Sequence, residues 1–379
     1  MNRPGVRVVE PDKPVAADWC EADVNALIVS RVWKFCWMLA LLVAIGLPFG
    51  LVSAAQAAVP STPLHWAKTS FADEGQAVET LTIRAAKGSQ DTFIRFVIAN
   101  AGFQKGQLTV TFRQESPTGT MYGKETYERG KYTVAKDKIG ITAGPNVLKH
   151  EGGKLVLHLE LDGLVADCTL SSSASAMSVK DNGNGYIHRN LLVPVGKLKV
   201  TATKADLKFD GTGTGFAMHE ASTAPAHKTY ERSVRLHNVA GHYLLIDYAV
   251  LPKDRGSKVL GFVVIAGKGK TFVGEVTKEE RTEEKKDGSS GYEVPYNVQV
   301  LAKRGDHKAA IALKASKQTK RADDLANLPW AARKAVGAVF HPITFTLKGE
   351  ARAEVMAAGA TEAVVIEDKS VQYTYSQAN

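Results

Sequence analysis

Alternation of apolar and polar residues is the strongest structural signal in this chain from Thr80 onward. Gly, Asn and Asp separate the alternating runs, and these residues accept tight-turn backbone conformations at low cost. A period of two places successive side chains on opposite faces of a strand, so each run predicts a strand with one buried face. One such run has leucine at every inward position, namely 155, 157, 159 and 161. The pattern predicts an all-β, antiparallel protein.

One segment departs from this pattern and predicts a late α-helix over residues 322–339. Its apolar side chains recur at helical spacing, Asp323 and Asp324 suit a helix start, and Arg333 and Lys334 follow further along. A single late helix in an all-β chain is expected to pack on the outside or end of a barrel.

Many short strands leave unpaired edges unless the sheets close, and closed barrels remove those edges completely. The length that remains after an N-terminal leader suits two domains. We therefore predict two tandem antiparallel β-barrels, the first over residues 62–206 and the second over residues 207–379, which includes the helix.

Residues 1–57 predict an N-terminal leader with a signal peptide. An apolar run over 35–47 has the length of a signal-peptide core and is short for a membrane span. Small residues follow it and place signal cleavage after Ala57. The alternative is an uncleaved single-pass anchor over 32–52. Both interpretations predict an exported protein, periplasmic or secreted.

Positive charge is in excess but dispersed: 48 Lys and Arg face 39 Asp and Glu, a net charge of +9. The densest charged stretch, residues 278–287, mixes both signs, which is typical of a solvent-exposed face. The basic and aromatic pattern of a nucleic-acid-binding sheet is absent, so we predict no nucleic-acid partner. An anionic membrane surface is the alternative partner that this charge favours. Cys168 is the one cysteine beyond the leader and predicts a small buried hydrophobe.

Three segments carry a family resemblance, namely residues 92–112, 215–225 and 323–375. The third contains Val-Phe-His-Pro at 339–342 before a strand, and Ala-Arg-Ala-Glu-Val at 351–355. These segments resemble the fungal oxidative-stress survival-factor family, which is related to bacterial carotenoid hydratases and lipocalin-like cyclases. The resemblance implies tandem lipocalin-like barrels of the calycin type. Because the survival-factor relatives are associated with sphingolipid-type lipids, it also implies an apolar ligand in a barrel cavity, without naming that ligand.

The resemblance also places His219 at the junction of the two barrels. In a hydratase or cyclase, His219 or Glu220 would give a proton to an alkene. Asp247 shares one face of a predicted strand with Tyr243 and Leu245, and a carboxylate on an apolar face has a raised pKa and can act as an acid. The alternative is that Asp247 faces water or closes a hydrogen-bond network at the barrel mouth.

We expect an exported carrier for a lipid or isoprenoid rather than an enzyme, with Tyr243, Leu245, Asp247 and His219 contacting the ligand. A hydratase or cyclase on an isoprenoid substrate is the first alternative, with His219, Glu220 and Asp247 as catalytic residues. A structural β-protein without a ligand is the second. The four histidines between 219 and 242 lack metal-ligand spacing, so we predict no metal site and no cofactor. The sequence leaves the ligand and the oligomeric state open.

Overall fold

The computed structural model describes residues 59, 77–101, 104–183, 186–224, 226–267, 269–326, 330–337 and 340–378. The predicted leader, its cleavage after Ala57 and the alternative anchor lie outside these residues and stay predictions. Within them the chain is all-β, with two barrel-like antiparallel sheets, as the alternating pattern predicts. No helix in this part of the chain is long and apolar enough to cross a membrane.

The first sheet is built from β1 (Ala77–Lys87), β2 (Gln90–Ala101), β3 (Gln104–Ser116), β4 (Gly119–Tyr127), β5 (Tyr132–Val134), β6 (Gly140–Ala143), β7 (Asn146–Glu151), β8 (Lys154–Leu161), β9 (Leu164–Ser172), β10 (Met177–Asp181), β11 (Ile187–Lys204) and β12 (Leu207–Ser222). Their order is β4-β3-β2-β1-β12-β11-β9-β8-β7-β6-β5, with β10 beside β11. The sheet curls until β4 meets β8, where a Cβ on Gly123 would lie 2.6 Å from the Leu161 carbonyl oxygen. Inward-facing side chains fill the enclosed space, among them Leu81, Phe96, Leu157 and the thiol of Cys168.

The second sheet is a closed barrel of β13 (Arg232–Asn238), β14 (Tyr243–Val250), β15 (Val259–Gly267), β16 (Lys270–Lys286), β17 (Glu293–Arg304), β18 (His307–Asp323), β19 (Ile343–Met356) and β20 (Val364–Gln377). Each strand pairs with its sequence neighbour and β20 pairs with β13, which is the up-and-down arrangement of eight-stranded lipocalin barrels. Its interior is packed with large side chains, including Tyr248, Phe345, Tyr373 and Tyr375.

β12 belongs to the first sheet, although the predicted second barrel begins at residue 207. The strand pairs with β11 through a tight hairpin at Ala205, whose φ is 50°, and with β1 on its other side. A Cβ on Gly215 would lie 1.9 Å from the Arg84 carbonyl oxygen, so only glycine permits this approach to β1. The chain therefore passes to the second sheet after Ser222, and the predicted boundary falls inside a hairpin.

The late helix is shorter than the predicted span of 322–339. The α-helix, α1, covers Trp330–Gly337, and β18 continues to Asp323 because the β18–β19 ladder extends to the Asp323–Ile343 pair. Asp323 then forms the turn by accepting a hydrogen bond from the Leu325 backbone N–H at 2.9 Å. At the beginning of the predicted helix, pairing of β18 with β19 therefore outweighs the helical spacing of the apolar residues.

A third apolar cluster joins the two sheets. It is formed by outward-facing side chains of β10 to β12 and of β14 to β16, including Leu191, Phe216, Met218, Leu245, Leu260, Phe262 and Val264. A buried ion pair flanks this cluster, where Asp181 of the first sheet contacts Arg255 and the Lys258 Nζ at 2.8 Å. Apolar burial and ion pairing therefore hold the outer faces of the two sheets together.

Candidate functional site

Two cavities lie in the cleft between the sheets. The first has a volume of about 530 Å³ and is lined by apolar side chains, including Ile187, Leu251 and Leu260, together with hydroxyl and charged groups. The second has a volume of about 580 Å³ and is lined by more polar groups, including Arg84, Arg95, His237 and Gln372, beside Phe93 and Phe216. Both volumes lie in the range of small-molecule sites. The two cavities share Glu220, Arg235 and Asp247, so a charged cluster separates them.

Arg189 is the centre of this charged cluster. Strand pairing sets Arg189 directly opposite Glu220 in the first sheet and Arg235 directly opposite Asp247 in the second. The Arg189 Nε donates to Glu220 Oε1 at 2.9 Å, while its Nη2 donates to the Asp247 carboxylate across the cleft. Its Nη1 donates to the Leu260 carbonyl oxygen at 2.8 Å. One guanidinium thus binds both carboxylates and a backbone carbonyl.

The arginines keep the Glu220 carboxyl ionised. Burial alone would raise the pKa of Glu220, but Arg189, Arg235 and Arg95 outweigh burial and hold the pKa below its usual value. Asp247 is 7% exposed and forms ion pairs with Arg189 and, at 3.5 Å, with Arg235. An ionised carboxylate that is already bound to arginine is a poor proton donor, so the geometry disfavours the acid role predicted for Glu220.

Four of the five predicted site residues, Glu220 among them, lie at the interface between the barrels rather than inside a barrel cavity. Tyr243, Leu245 and Asp247 point outward from the second barrel into the interface, whereas their neighbours Leu244 and Ile246 fill its interior. The Tyr243 hydroxyl donates to the Pro194 carbonyl oxygen at 2.9 Å, and Leu245 lines the second cavity. The predicted shared face is therefore correct, but it is the face toward the other barrel.

His219 does not join this cleft. Its side chain is fully buried inside the first barrel, where Nε2 lies 3.5 Å from Glu79 Oε2 and Nδ1 lies 3.2 Å from Asn190 Nδ2. Burial raises the pKa of Glu79 to about 8, so this carboxyl is protonated at neutral pH. The structure brings Glu220, Asp247, Tyr243 and Leu245 to the inter-barrel interface and separates His219 from them.

Sequence reasoning missed Arg189, Arg235, His237 and Glu79. The alternating pattern contained a signal for Glu79, because it shares the inward face of β1 with Leu81 and Ile83. Arg189 carried no comparable signal, since its partner Asp247 lies 58 residues along the chain and on the other sheet. No group of three or more His, Cys, Asp or Glu side chains within the described ranges is arranged to hold a metal ion.

Chemically, the cleft combines an apolar wall with fixed charge. Its carboxylates are already bound to arginine, while the side chains of Arg95 and Arg235 remain exposed. Such an arrangement can bury the body of a small molecule against the apolar wall and orient a polar group toward the charged cluster.

Comparisons with known proteins found no matching family model and no significantly similar curated protein. Among solved structures, the chain is similar to an AttH protein from Nitrosomonas europaea, with 14% identity over 86% of this chain and 99% of that one, at a TM-score of 0.44. It is also similar to CghA in complex with Sch210972, with 9% identity over 88% of this chain and 96% of that one, at a TM-score of 0.47. A third similar structure is kievitone hydratase from Nectria haematococca, with 12% identity over 88% of this chain and 93% of that one, at a TM-score of 0.39.

With identities of 9% to 14% and TM-scores of 0.39 to 0.47, these similarities assign no family and no activity to the chain. The resemblance to survival factors stays a prediction. The description of the fold as a pair of barrel-like antiparallel sheets rests on the strand order of this chain, not on these similarities.

Proposed function

We propose that the protein is a binding protein for a small lipid- or isoprenoid-like molecule, which it holds in the cleft between its two barrels. The observation that carries this proposal is the first cavity, about 530 Å³ in volume, with apolar side chains from both sheets around a charged cluster. Small-molecule sites commonly combine apolar walls with convergent polar groups that orient the ligand.

Binding rather than catalysis is the function that the cluster supports best. A hydratase or cyclase needs an acid that can give a proton to its substrate. Glu220 is held ionised by three arginines, and Asp247 is bound by Arg189. Glu79 has a raised pKa, but it lies inside the first barrel and lines neither cavity of the cleft.

Export and delivery complete the proposal. The predicted leader over residues 1–57 would place the folded chain outside the cytoplasm, where an apolar molecule needs a protein to cross an aqueous space. The dispersed net charge of +9 would favour contact with an anionic membrane surface. We propose such a surface as the partner at which the ligand is loaded or released.

The test is titration of the purified protein with N-phenyl-1-naphthylamine, a neutral dye whose fluorescence rises in apolar sites. Ala249 lines the first cavity on the outward face of β14 and is partly exposed, so Ala249→Trp fills the cavity without removing a buried side chain. We expect saturable binding near one dye per chain in the wild type and at least a tenfold loss of affinity in Ala249→Trp.

Ala310→Trp is the matched control, because Ala310 is also partly exposed on a strand of the second barrel but lines neither cavity of the cleft. It should bind the dye like the wild type. Dye binding that is unaffected by Ala249→Trp, or that falls equally in both variants, would contradict a site in the cleft. Mass spectrometry of organic extracts from protein purified without detergent would then identify the natural ligand.

A further inference from the structure

The second cavity carries more positive than negative charge. Arg84, Arg95 and Arg235 line it, together with the carboxylates of Glu220 and Asp247. Arg84 is neutralised outside the cleft by Asp91, with Nε at 3.0 Å from Oδ1. Both carboxylates are already bound by Arg189, which lines the first cavity and not the second. The charge that remains accessible in the cavity therefore belongs mainly to Arg95 and Arg235.

Arg95 forms no hydrogen bond or ion pair with the residues that the structure describes, and its side chain is exposed to the cleft. Arg235 contacts Asp247 through Nε alone, at 3.5 Å, and 59% of its side chain is exposed. Burial and the charge of Arg235 hold the pKa of Arg95 below its usual value, against the opposing effect of Glu220. Two guanidinium groups thus repel each other in a cavity where an anion between them would remove that repulsion.

His237 adds a hydrogen-bond donor to the same cavity. Its ring lies edge-on to Phe216 and Tyr243, with centroid distances of 5.2 Å and 5.6 Å. Neither ring nitrogen has a hydrogen-bond partner within the described part of the chain, and both nitrogens are buried. Burial lowers the pKa of His237 to about 3, so the ring is neutral and keeps one N–H. A buried donor without a partner is destabilising, and a ligand oxygen that accepts its hydrogen bond would remove that cost.

We infer that the ligand is an amphipathic anion, with a carboxylate or phosphate head bound by Arg95, Arg235 and His237 in the second cavity. This inference rests on the proposed function, since the apolar body of the same molecule would occupy the first cavity. The two cavities meet at Glu220, Arg235 and Asp247, so a head and a body joined by a flexible chain would extend past Arg235. Planar guanidinium groups bind both carboxylate and phosphate in two-pronged geometry, which makes them the expected partners of such a head.

The experiment is isothermal titration calorimetry with decanoate and with decan-1-ol, which share a chain length and differ in head-group charge. We expect decanoate to bind at least tenfold more tightly than decan-1-ol at low salt. Arg95→Gln should abolish that preference by lowering the affinity for decanoate toward that for decan-1-ol, because the amide carries no charge. His237→Phe keeps the ring contacts and should weaken decanoate several-fold.

Lys199→Gln is the matched control, since Lys199 is an exposed cation on β11 that lines neither cavity of the cleft. Equal affinities for decanoate and decan-1-ol, or equal losses in Arg95→Gln and Lys199→Gln, would overturn the inference. Decyl phosphate that binds like decanoate supports the shared oxyanion chemistry, whereas acetate that binds as tightly as decanoate would overturn the amphipathic requirement.

Failure of this inference and failure of the proposed function have different signatures. Dye binding that depends on Ala249, without a preference for decanoate, would retain the cleft site and reject the anionic head. A preference for decanoate that depends on Arg95, without dye binding at Ala249, would retain the anion site and reject the apolar body in the first cavity.

Discussion

Removing the Arg189 guanidinium should be one of the most destabilising single changes at the interface of the two barrels. Arg189→Met keeps an unbranched side chain of similar reach but deletes the bonds to Glu220, Asp247 and the Leu260 carbonyl. The larger part of the loss comes from Asp247, whose side chain is 7% exposed and would remain as a buried carboxylate. Glu220 is 29% exposed and keeps water and Arg95 nearby, so it contributes less.

Breaking a buried ion pair on one side costs about 3–5 kcal/mol, and we expect a loss of that size in the free energy of unfolding. The assay is equilibrium unfolding in urea, in which this loss lowers the midpoint by about 1–2 M for a domain of this size. Arg235→Met is the contrasting variant. Since 59% of the Arg235 side chain is exposed, its loss should cost less than about 1 kcal/mol.

A double-mutant cycle with Asp247→Asn separates the buried charge from lost packing, because the amide carries no charge that needs Arg189. We expect Arg189→Met to cost clearly less in the Asp247→Asn background than in the wild type. A loss below about 1 kcal/mol in the single variant, or equal losses in both backgrounds, would refute the interpretation of Arg189 as the ionic link between the barrels.

Three further predictions concern pH and backbone packing. Burial would raise the pKa of Asp181, but Lys258 and Arg255 outweigh it and hold the pKa below its usual value. The stability from this pair is therefore present above about pH 4 and lost as the pH falls through the lowered pKa, and acid unfolding followed by circular dichroism should depend less on pH in Asp181→Asn. The pH dependence of stability that Glu79 contributes has the opposite sign. Its pKa rises from 4.5 to about 8, so the folded state keeps a proton that the unfolded chain releases. Wild-type stability should fall by up to about 1.4 kcal/mol per pH unit between these values, and urea unfolding at pH 5 to 8 should show a flatter profile in Glu79→Gln. Finally, a Cβ on Gly261 would lie 2.2 Å from the Asp247 carbonyl oxygen, so Gly261→Ala should lower stability by about 1–3 kcal/mol, whereas Gly288→Ala, with open space around it, should not.

The strands and the division of their side chains between two faces were predictable because a period of two is a local property. The same local rule places His219 and Glu220 on opposite faces of β12, which is why one lies in the first barrel and the other in the cleft. It also grouped Tyr243, Leu245 and Asp247 on one face of β14, which is the face toward the cleft. When both faces of a strand are buried, as in β14, the period of two does not tell which face points into the strand's own barrel.

The charged cluster was only half predictable for a different reason. Its carboxylates stand out as acids beside apolar residues, whereas Arg189 and Arg235 resemble ordinary surface arginines in sequence. Their role depends on the register of two ladders and on the docking of two sheets, neither of which is encoded within one strand. The predicted start of the helix was wrong for the same reason. The β18–β19 ladder extends through Asp323, and pairing between strands is not encoded within one segment.

The pairing of β13 with β20 has a consequence for the order in which the chain can be assembled. Arg232 bonds in register with Gln377, so the second barrel lacks one seam until its last strand has been synthesised and has folded back. Until that moment β13 and β19 both present free edges to other chains. Such a long-range closure is slow because the loop entropy must be lost before the ladder forms. A chaperone that shields β13 during synthesis would therefore protect the barrel at its most aggregation-prone stage.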